Sequence, residues 1–278
     1  MLTTAQEDAL IQCVREVAKA EILPHFRALS SGEVKTKSAY DDLVTVADLA
    51  SERALIEKFS ALLPDAKVIG EECVTDDPSL LGGFDEQAMT IVIDPIDGTW
   101  NFAHGLSTFG VLIAGVAYGK TVFGLLYDPV NDDWVRASLG RGCWYGKPNA
   151  EDVRISLDAE VSEPRLTGLM SPALFADDIK PAMVLKHLEY ARISTLRCAC
   201  HEYRSLVQGA YDFFVQPKPN VWDHAAGIIA YQEAGGLVKM LDGREYSPSI
   251  TKGTIVAART ADVMARLDAD FKTMVLGS

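Results

Sequence analysis

Residues 5–29 carry apolar positions in a helical rhythm. Leu10, Val14, Val17 and Ala18 share one face, with Ile11 and Ile22 beside it. Pro24 sits late in this run and is expected to end or kink it, and Ser30-Ser31-Gly32 marks a turn. Thr45-Val46-Ala47-Asp48 has the spacing of a capping box. It predicts a second helix to about Leu63, with Leu55, Ile56, Phe59 and Leu62 inward and Pro64-Asp65 closing it. Ala66 to Ile69 predicts a short strand that turns into Gly70-Glu71-Glu72. Thr90-Ile91-Val92-Ile93 is wholly apolar or β-branched and predicts a buried strand stopping at Asp94-Pro95. From Thr108 to Tyr145 the pattern predicts three or four strands in meander order. Their turns fall at Tyr118-Gly119-Lys120, Asn131-Asp132-Asp133 and Gly140-Arg141-Gly142.

The second half alternates differently. Residues 177–191, 199–208, 223–234 and those from about 260 read as helices. Residues 193–197, 211–215, 237–240 and 254–258 read as strands. Gly235-Gly236 closes the third of these helices. Helices and antiparallel strands in blocks predict a layered α+β fold. A soft boundary near residues 147–165 separates an N-terminal half, 1–150, carrying Glu71, Asp94 and Asp97, from a C-terminal half, 151–278, carrying Asp223. The two are expected to form one compact unit.

Composition narrows the class. Of 278 residues, 26 are Lys or Arg and 39 are Asp or Glu, a formal net charge of −13. That argues against direct nucleic-acid binding and against anionic membrane surfaces, both of which need cationic residues. The 48% hydrophobic content excludes a disordered chain, and no apolar run approaches the ~18 residues of a membrane span. The first residues show no basic stretch and apolar core of a signal peptide. The five cysteines, 13, 73, 143, 198 and 200, therefore read as reduced thiols of a cytoplasmic protein. Cys198-Ala199-Cys200-His201 lacks a second ligand pair at zinc spacing.

The chemistry lies in the carboxylates. The strand from Thr90 delivers Asp94 at its end, Pro95 removes a ladder donor, and the turn brings back Asp97, so both acids can face one point. Gly98 lets backbone N–H groups approach an anion, and Thr99 adds a hydroxyl. Glu71 and Glu72 follow a strand, Asp223 begins a helix, and Asp48 lies in the first turn of another. Singly, each reads as a turn, a cap or solvated surface. Together they form a hard-oxygen set suited to Mg²⁺, which retains water and substrate phosphate as further ligands.

The segments Gly70-Glu71-Glu72, Asp94-Pro95-Ile96-Asp97-Gly98-Thr99-Trp100-Asn101-Phe102 and Trp222-Asp223-His224-Ala225-Ala226-Gly227 resemble the motifs of the inositol monophosphatase family. Lys37 with Asp41/Asp42-Leu43-Val44-Thr45-Val46-Ala47-Asp48 does so too, and the resemblance spans roughly residues 5–270. It implies a five-layer α-β-α-β-α sandwich of the inositol monophosphatase/fructose-1,6-bisphosphatase type. It also implies a homodimer and Li⁺-inhibitable, Mg²⁺-dependent hydrolysis of small phosphate monoesters, with two or three ions per site. By the same resemblance Glu71, Asp94, the Ile96 carbonyl, Asp97 and Asp223 hold metal, and Glu71 and Thr99 orient the attacking water. Glu72 touches a weaker third ion through water, and Asp48 supports Thr99 and Lys37. Backbone N–H groups at Gly98-Thr99 and at the helix starting with Asp223 are expected to face phosphate oxygens.

The substrate side departs from the pattern. Inositol-hydrolysing members carry Gly-Ser/Thr-Ala where this chain has Arg197-Cys198-Ala199, and a Glu where it has Gln216. These residues are expected to line the alcohol pocket with Asp97, Gly98, Thr99 and Asp223. Two placements of Arg197 are open: it faces solvent or the dimer surface, or it lines the pocket, where it favours a substrate with a second anionic or strongly polar group. Inositol-1-phosphate or a related polyol phosphate is the leading substrate, and histidinol phosphate or another small monoester is the alternative. Nucleotide bisphosphatases usually carry Lys-Glu-Phe where this chain has Trp100-Asn101-Phe102. His201 and Glu202 are expected as scaffold or interface, and His104 lies close to the metal loop. A reading of another class is a regulatory role in a transcription complex, as in some bacterial relatives.

Overall fold

The computed structural model describes residues 1–30, 32–37, 40, 42–158 and 165–277. Ser31, Asp41 and part of the soft boundary near 147–165 lie outside the described residues. In chain order the elements are α1 (Thr4–Val17), β1 (Val34–Thr36), β2 (Leu43–Thr45), α2 (Val46–Leu62), β3 (Lys67–Gly70) and α3 (Glu71–Asp76). Then follow β4 (Thr90–Asp97), α4 (Thr99–Ala103), β5 (Gly110–Ala117), β6 (Lys120–Asp128), β7 (Asp133–Ser138), β8 (Gly142–Gly146) and β9 (Val153–Ile155). The remainder is β10 (Thr167–Met170), α5 (Lys180–Lys186), β11 (Arg192–Ser194), α6 (Ala199–Val207), β12 (Phe213–Gln216), α7 (Val221–Glu233), β13 (Leu237–Met240), β14 (Ile255–Ala258) and α8 (Ala261–Leu276).

A seven-stranded sheet runs in the order β3-β4-β5-β6-β7-β8-β9, and a five-stranded sheet in the order β11-β10-β12-β14-β13. Strand alternation decides which layer each side chain enters. Ile91 and Ile93 of β4, Val111 and Ile113 of β5 and Phe123 and Leu125 of β6 pack with Leu10, Val14, Leu55 and Phe59 of α1 and α2. Their neighbours Val92, Leu112, Ala114 and Leu126 point the other way, into a core shared with Tyr203, Leu206, Ala226 and Ala230 of α6 and α7. The same core takes Phe214 and Ala257 from the second sheet, whose opposite face presents Phe213, Val215 and Val256 to Met183 of α5 and Leu267 and Phe271 of α8. The layers are therefore helix, sheet, helix, sheet, helix, as the resemblance implied. Among the described residues no helix is long and apolar enough to cross a membrane.

Local departures from the expected elements have physical causes. The first helix does not run unbroken to residue 29. It widens to a π-helical turn over Ala18–Ile22 and tightens to a 3₁₀ turn over Leu23–His25. Pro24 has no N–H to donate and its ring crowds the preceding turn. β4 does not stop at Asp94 but continues to Asp97, with its pairing to β5 interrupted between these two residues. α7 begins at Val221 rather than Asp223, with Asn220 as its N-cap.

Candidate active site

Two sheets end at one cleft of about 430 Å³. From the seven-stranded sheet comes the end of β4. From the five-stranded sheet come the loops after β11, β10 and β12, three mutually parallel strands whose carboxyl ends meet there. Asp94, Ile96, Asp97, Gly98 and Thr99 line the first wall. Arg197, Ser171, Gln216 and Lys218 line the second, and Asp223 at the start of α7 joins them.

Carboxylate oxygens of Asp94, Asp97 and Asp223 lie within 4.8 Å of one another. Burial, with repulsion from Glu71, Asp97 and Asp223, holds the Asp94 carboxyl well above its usual range. Asp223 is raised for the same reasons, and the two share a hydrogen bond. Asp97 is raised by burial against donors that lower it. Buried carboxylates this close are stable together only with protons or cations. The group is all hard oxygen, a donor set that fits a divalent magnesium ion.

The turn after β4 builds the rest. Gly98 has φ +85, and an added Cβ would stand 3.0 Å from the Thr108 carbonyl oxygen and 3.1 Å from Cys198 Cβ. Only glycine fits both the conformation and the space. It delivers Thr99 into the first position of α4. The Thr99 hydroxyl has two acceptors, Asp48 Oδ1 at 3.1 Å and the Ile96 carbonyl at 2.9 Å. The other Asp48 oxygen accepts from the backbone N–H and hydroxyl of Thr45, at 2.8 and 2.5 Å, closing the expected capping box. Burial lifts Asp48 to about 6.

Glu71 lines the same cleft and pairs with Lys37, Nζ–Oε1 2.9 Å. Lys37 also reaches Glu72 at 2.6 Å. Asp48 was expected to support Lys37. Its described partners are instead Thr45 and Thr99, because the capping box uses one of its oxygens, while Lys37 lies between the two glutamates. Burial and the neighbouring Glu71 raise Glu72 to about 7, against the lowering effect of Lys37.

Cys198 and Ala199 border the cleft but chiefly serve Asp97. The Cys198 thiol donates to Asp97 Oδ2 at 3.1 Å, and the Cys200 N–H donates to the same oxygen at 2.5 Å. Asp97 thus sits at the N-terminus of α6, where unpaired N–H groups favour an anion. Arg197 precedes that helix in a left-handed conformation, φ +53, with its guanidinium 4.1 Å from the Trp100 ring centroid. His104 stacks on Trp100, also at 4.1 Å. Gln216 Oε1 is buried without a hydrogen-bond partner.

Several contributors had no role assigned from the sequence. Glu52, one turn after Asp48 on α2, accepts from the N–H groups of Glu72 and Cys73, each at 2.8 Å, and so fixes the start of α3. A second acid four residues after Asp48, on the same helical face, was the available signal. Asn101 Nδ2 donates to the carbonyls of Thr108 and Leu196 at 2.7 and 2.8 Å, tying the β4 turn to the loop after β11. Glu202 is the expected scaffold residue: it accepts from Leu196 N at 2.7 Å and Thr195 Oγ1 at 3.2 Å. His201 contacts the Phe109 carbonyl at 3.0 Å. His224 is buried and neutral, with Tyr203 Oη 3.2 Å from Nδ1 and a bond to the Lys218 backbone.

The fold and site define a phosphomonoesterase class, and the comparisons agree. The pattern that defines the inositol monophosphatase family matches residues 5–274, and the chain belongs to that family. It is 31% identical over 212 residues to a fructose-1,6-bisphosphatase/inositol-1-monophosphatase of Thermotoga maritima, covering 76% of this chain and 77% of the relative. It is 32% identical over 232 residues to a Nus factor SuhB of Haemophilus influenzae, covering 80% of each. Among solved structures, a Thermotoga maritima IMPase superposes with a TM-score of 0.80 at 26% identity, covering 98% of this chain and 99% of that one. The protein is a phosphatase of this family.

Proposed function

We propose that the chain hydrolyses inositol-1-phosphate or a related polyol phosphate in a Mg²⁺-dependent reaction. The observation that carries this reading is the convergence of Asp94, Asp97 and Asp223 on one point of the cleft. These three, with Glu71 and the Ile96 carbonyl, are the residues that would hold the metal. When bound, Mg²⁺ supplies positive charge to the phosphate and lowers the pKa of water. Thr99 donates its proton to Asp48 or to Ile96 and so keeps an oxygen lone pair for the attacking water. Glu71, which lines the cleft, would accept a proton from that water. N–H groups at the start of α7 and at Gly98-Thr99 face the phosphate, and Gln216 takes a hydroxyl of the alcohol.

The test is phosphate release from inositol-1-phosphate, histidinol phosphate, glycerol-2-phosphate and fructose-1,6-bisphosphate, with Mg²⁺ and with EDTA. The reading expects Mg²⁺-dependent turnover of polyol phosphates. Preference for histidinol phosphate, or turnover that persists in EDTA, would overturn it. The protein is further proposed to be a cytoplasmic homodimer, which the mass in solution tests. Its likeness to relatives named Nus factor SuhB supports a second reading, a protein-binding role independent of turnover. A metal-site variant that still captures a partner from a bacterial lysate would favour it.

A further inference from the structure

α2 carries two buried acids one turn apart, and each serves a different limb of the cleft. Asp48 bonds Thr99 in the turn after β4. Glu52 lies about 6 Å further along the helix, on the same face. One of its oxygens accepts from the Glu72 N–H and the other from the Cys73 N–H, each at 2.8 Å. Both limbs are thereby referred to one helix of 17 residues.

α3 has six residues, and the N–H groups of its first turn find no acceptor within so short a helix. Gly70 precedes it and has no side chain with which to cap it. The Glu52 carboxylate takes that place, and the glycine makes room for it. A Cβ added at Gly70 would stand 2.3 Å from both Cδ and Oε2 of Glu52. Gly70 has φ −125, which any residue adopts, so space rather than conformation requires glycine here. α3 opens with Glu71 and Glu72. The seat of that turn decides where the Glu71 carboxylate stands in the cleft. It also decides where the two glutamates meet Lys37, at 2.9 and 2.6 Å.

We infer that Glu52 is a positioning residue of the hydrolytic site, which sets Mg²⁺ affinity by fixing the start of α3 and so the reach of Glu71. Glu52 is not among the residues that line the cleft, and it acts through the backbone it caps. The inference rests on the metal-dependent phosphatase reading above. Groups that orient metal ligands from behind change metal affinity or activity about 10- to 100-fold when they are removed.

The test uses two variants that disturb the cap from opposite sides. Glu52→Gln keeps the volume of the side chain but sets an amide NH₂ against one of the two N–H donors. Gly70→Ala leaves the carboxylate intact and fills its place. Calorimetry gives the Kd for Mg²⁺, and hydrogen exchange in EDTA gives the protection of the Glu72 and Cys73 amides. Kinetics on the preferred ester give KM at saturating Mg²⁺. Both variants should bind Mg²⁺ about 10- to 100-fold more weakly. The Glu72 and Cys73 amides should exchange about 10-fold faster or more, the loss of a hydrogen bond to a charged group. The amides of Val92 and Ile93 in β4 should keep their protection, and KM should be unchanged, since neither variant alters the walls after β10, β11 and β12.

A folded variant whose Kd for Mg²⁺ equals that of wild type, even with a lower Tm, makes the role of Glu52 merely structural. That result overturns the inference and leaves the phosphatase reading intact. If neither variant folds, exchange in the wild type decides. Binding that depends on the cap must strengthen the cap in return. Protection of the Glu72 and Cys73 amides should therefore rise when Mg²⁺ is added, and protection indifferent to Mg²⁺ overturns the inference. A wild type that binds no Mg²⁺ overturns the phosphatase reading, and the inference with it.

Discussion

Replacing Asp94 by Asn removes one of three carboxylates whose oxygens lie within 4.8 Å of one another. At an effective dielectric constant near 20, each ionised pair at that separation repels by about 3 kcal/mol. The cluster avoids this by holding protons: burial and its neighbours keep the Asp94 carboxyl well above the usual range. Its folded pKa is raised, so the stability linked to its proton is present at low pH and is lost as pH rises through that folded value. An Asn at this position retains an oxygen for the Ile96 N–H, which Asp94 Oδ1 accepts at 3.1 Å. Its amide also supplies the donor that the shared proton gives between Asp94 and Asp223. In EDTA at pH 8 the variant should therefore be more stable than wild type, by about 1–3 kcal/mol. With an unfolding entropy near 2.1 cal/mol/K per residue, that is about 2–5 °C in Tm. Saturating Mg²⁺ reverses the order. At a concentration 100-fold above Kd it stabilises wild type by about 2.7 kcal/mol, again near 5 °C, and the variant by much less. The assay is calorimetric melting of both proteins with EDTA and with Mg²⁺. A variant less stable than wild type in EDTA, with an equal gain from Mg²⁺, would refute the reasoning.

Two further outcomes follow from the same geometry. Thr99→Ala removes the hydroxyl that bonds Asp48 and is proposed to orient the attacking water. It should lower kcat about 10²-fold, and steady-state kinetics on the preferred ester would show a smaller effect if the hydroxyl were only structural. Burial raises Glu202 to about 7 from its usual 4.5, so the folded chain holds its proton more tightly than the unfolded one. The associated stability, about 3 kcal/mol, is present below pH 4.5 and lost as pH rises through 7. Glu202→Gln should flatten the fall in Tm between pH 5 and 7.5, and a parallel pair of melting curves would contradict this.

Elements whose own sequence carries both pattern and boundary were legible. The capping box of Thr45 and Asp48, the meander turns from Tyr118 to Gly142, and β13 all stand where the residues put them. Elements that exist only through a distant partner were not. β10 is four residues long and is defined by parallel pairing to β11 and β12. α3 is short and begins where Glu52, on another helix, caps it. The acids of the cleft were legible because the turn at Asp94-Pro95-Ile96-Asp97-Gly98 brings two of them together locally. The stack of Arg197 on Trp100 was not, since those residues are remote in sequence and the left-handed backbone at Arg197 has no signature in its neighbours. Cys198 and Ala199 show the same limit: their position beside the cleft was anticipated, but their bonding to Asp97 depends on where α6 begins.

Carboxylates from β4 and α7 are the groups proposed to hold the Mg²⁺ on which hydrolysis depends. Asp97 is the member of that set held by the start of α6. The most direct measurement is phosphate release from inositol-1-phosphate across a Mg²⁺ titration, for wild type and Asp97→Asn. Wild type should release phosphate with saturable Mg²⁺ dependence, and the folded variant should lose about 10³-fold or more. Equal release by the two proteins, or release by wild type that ignores Mg²⁺, would contradict it.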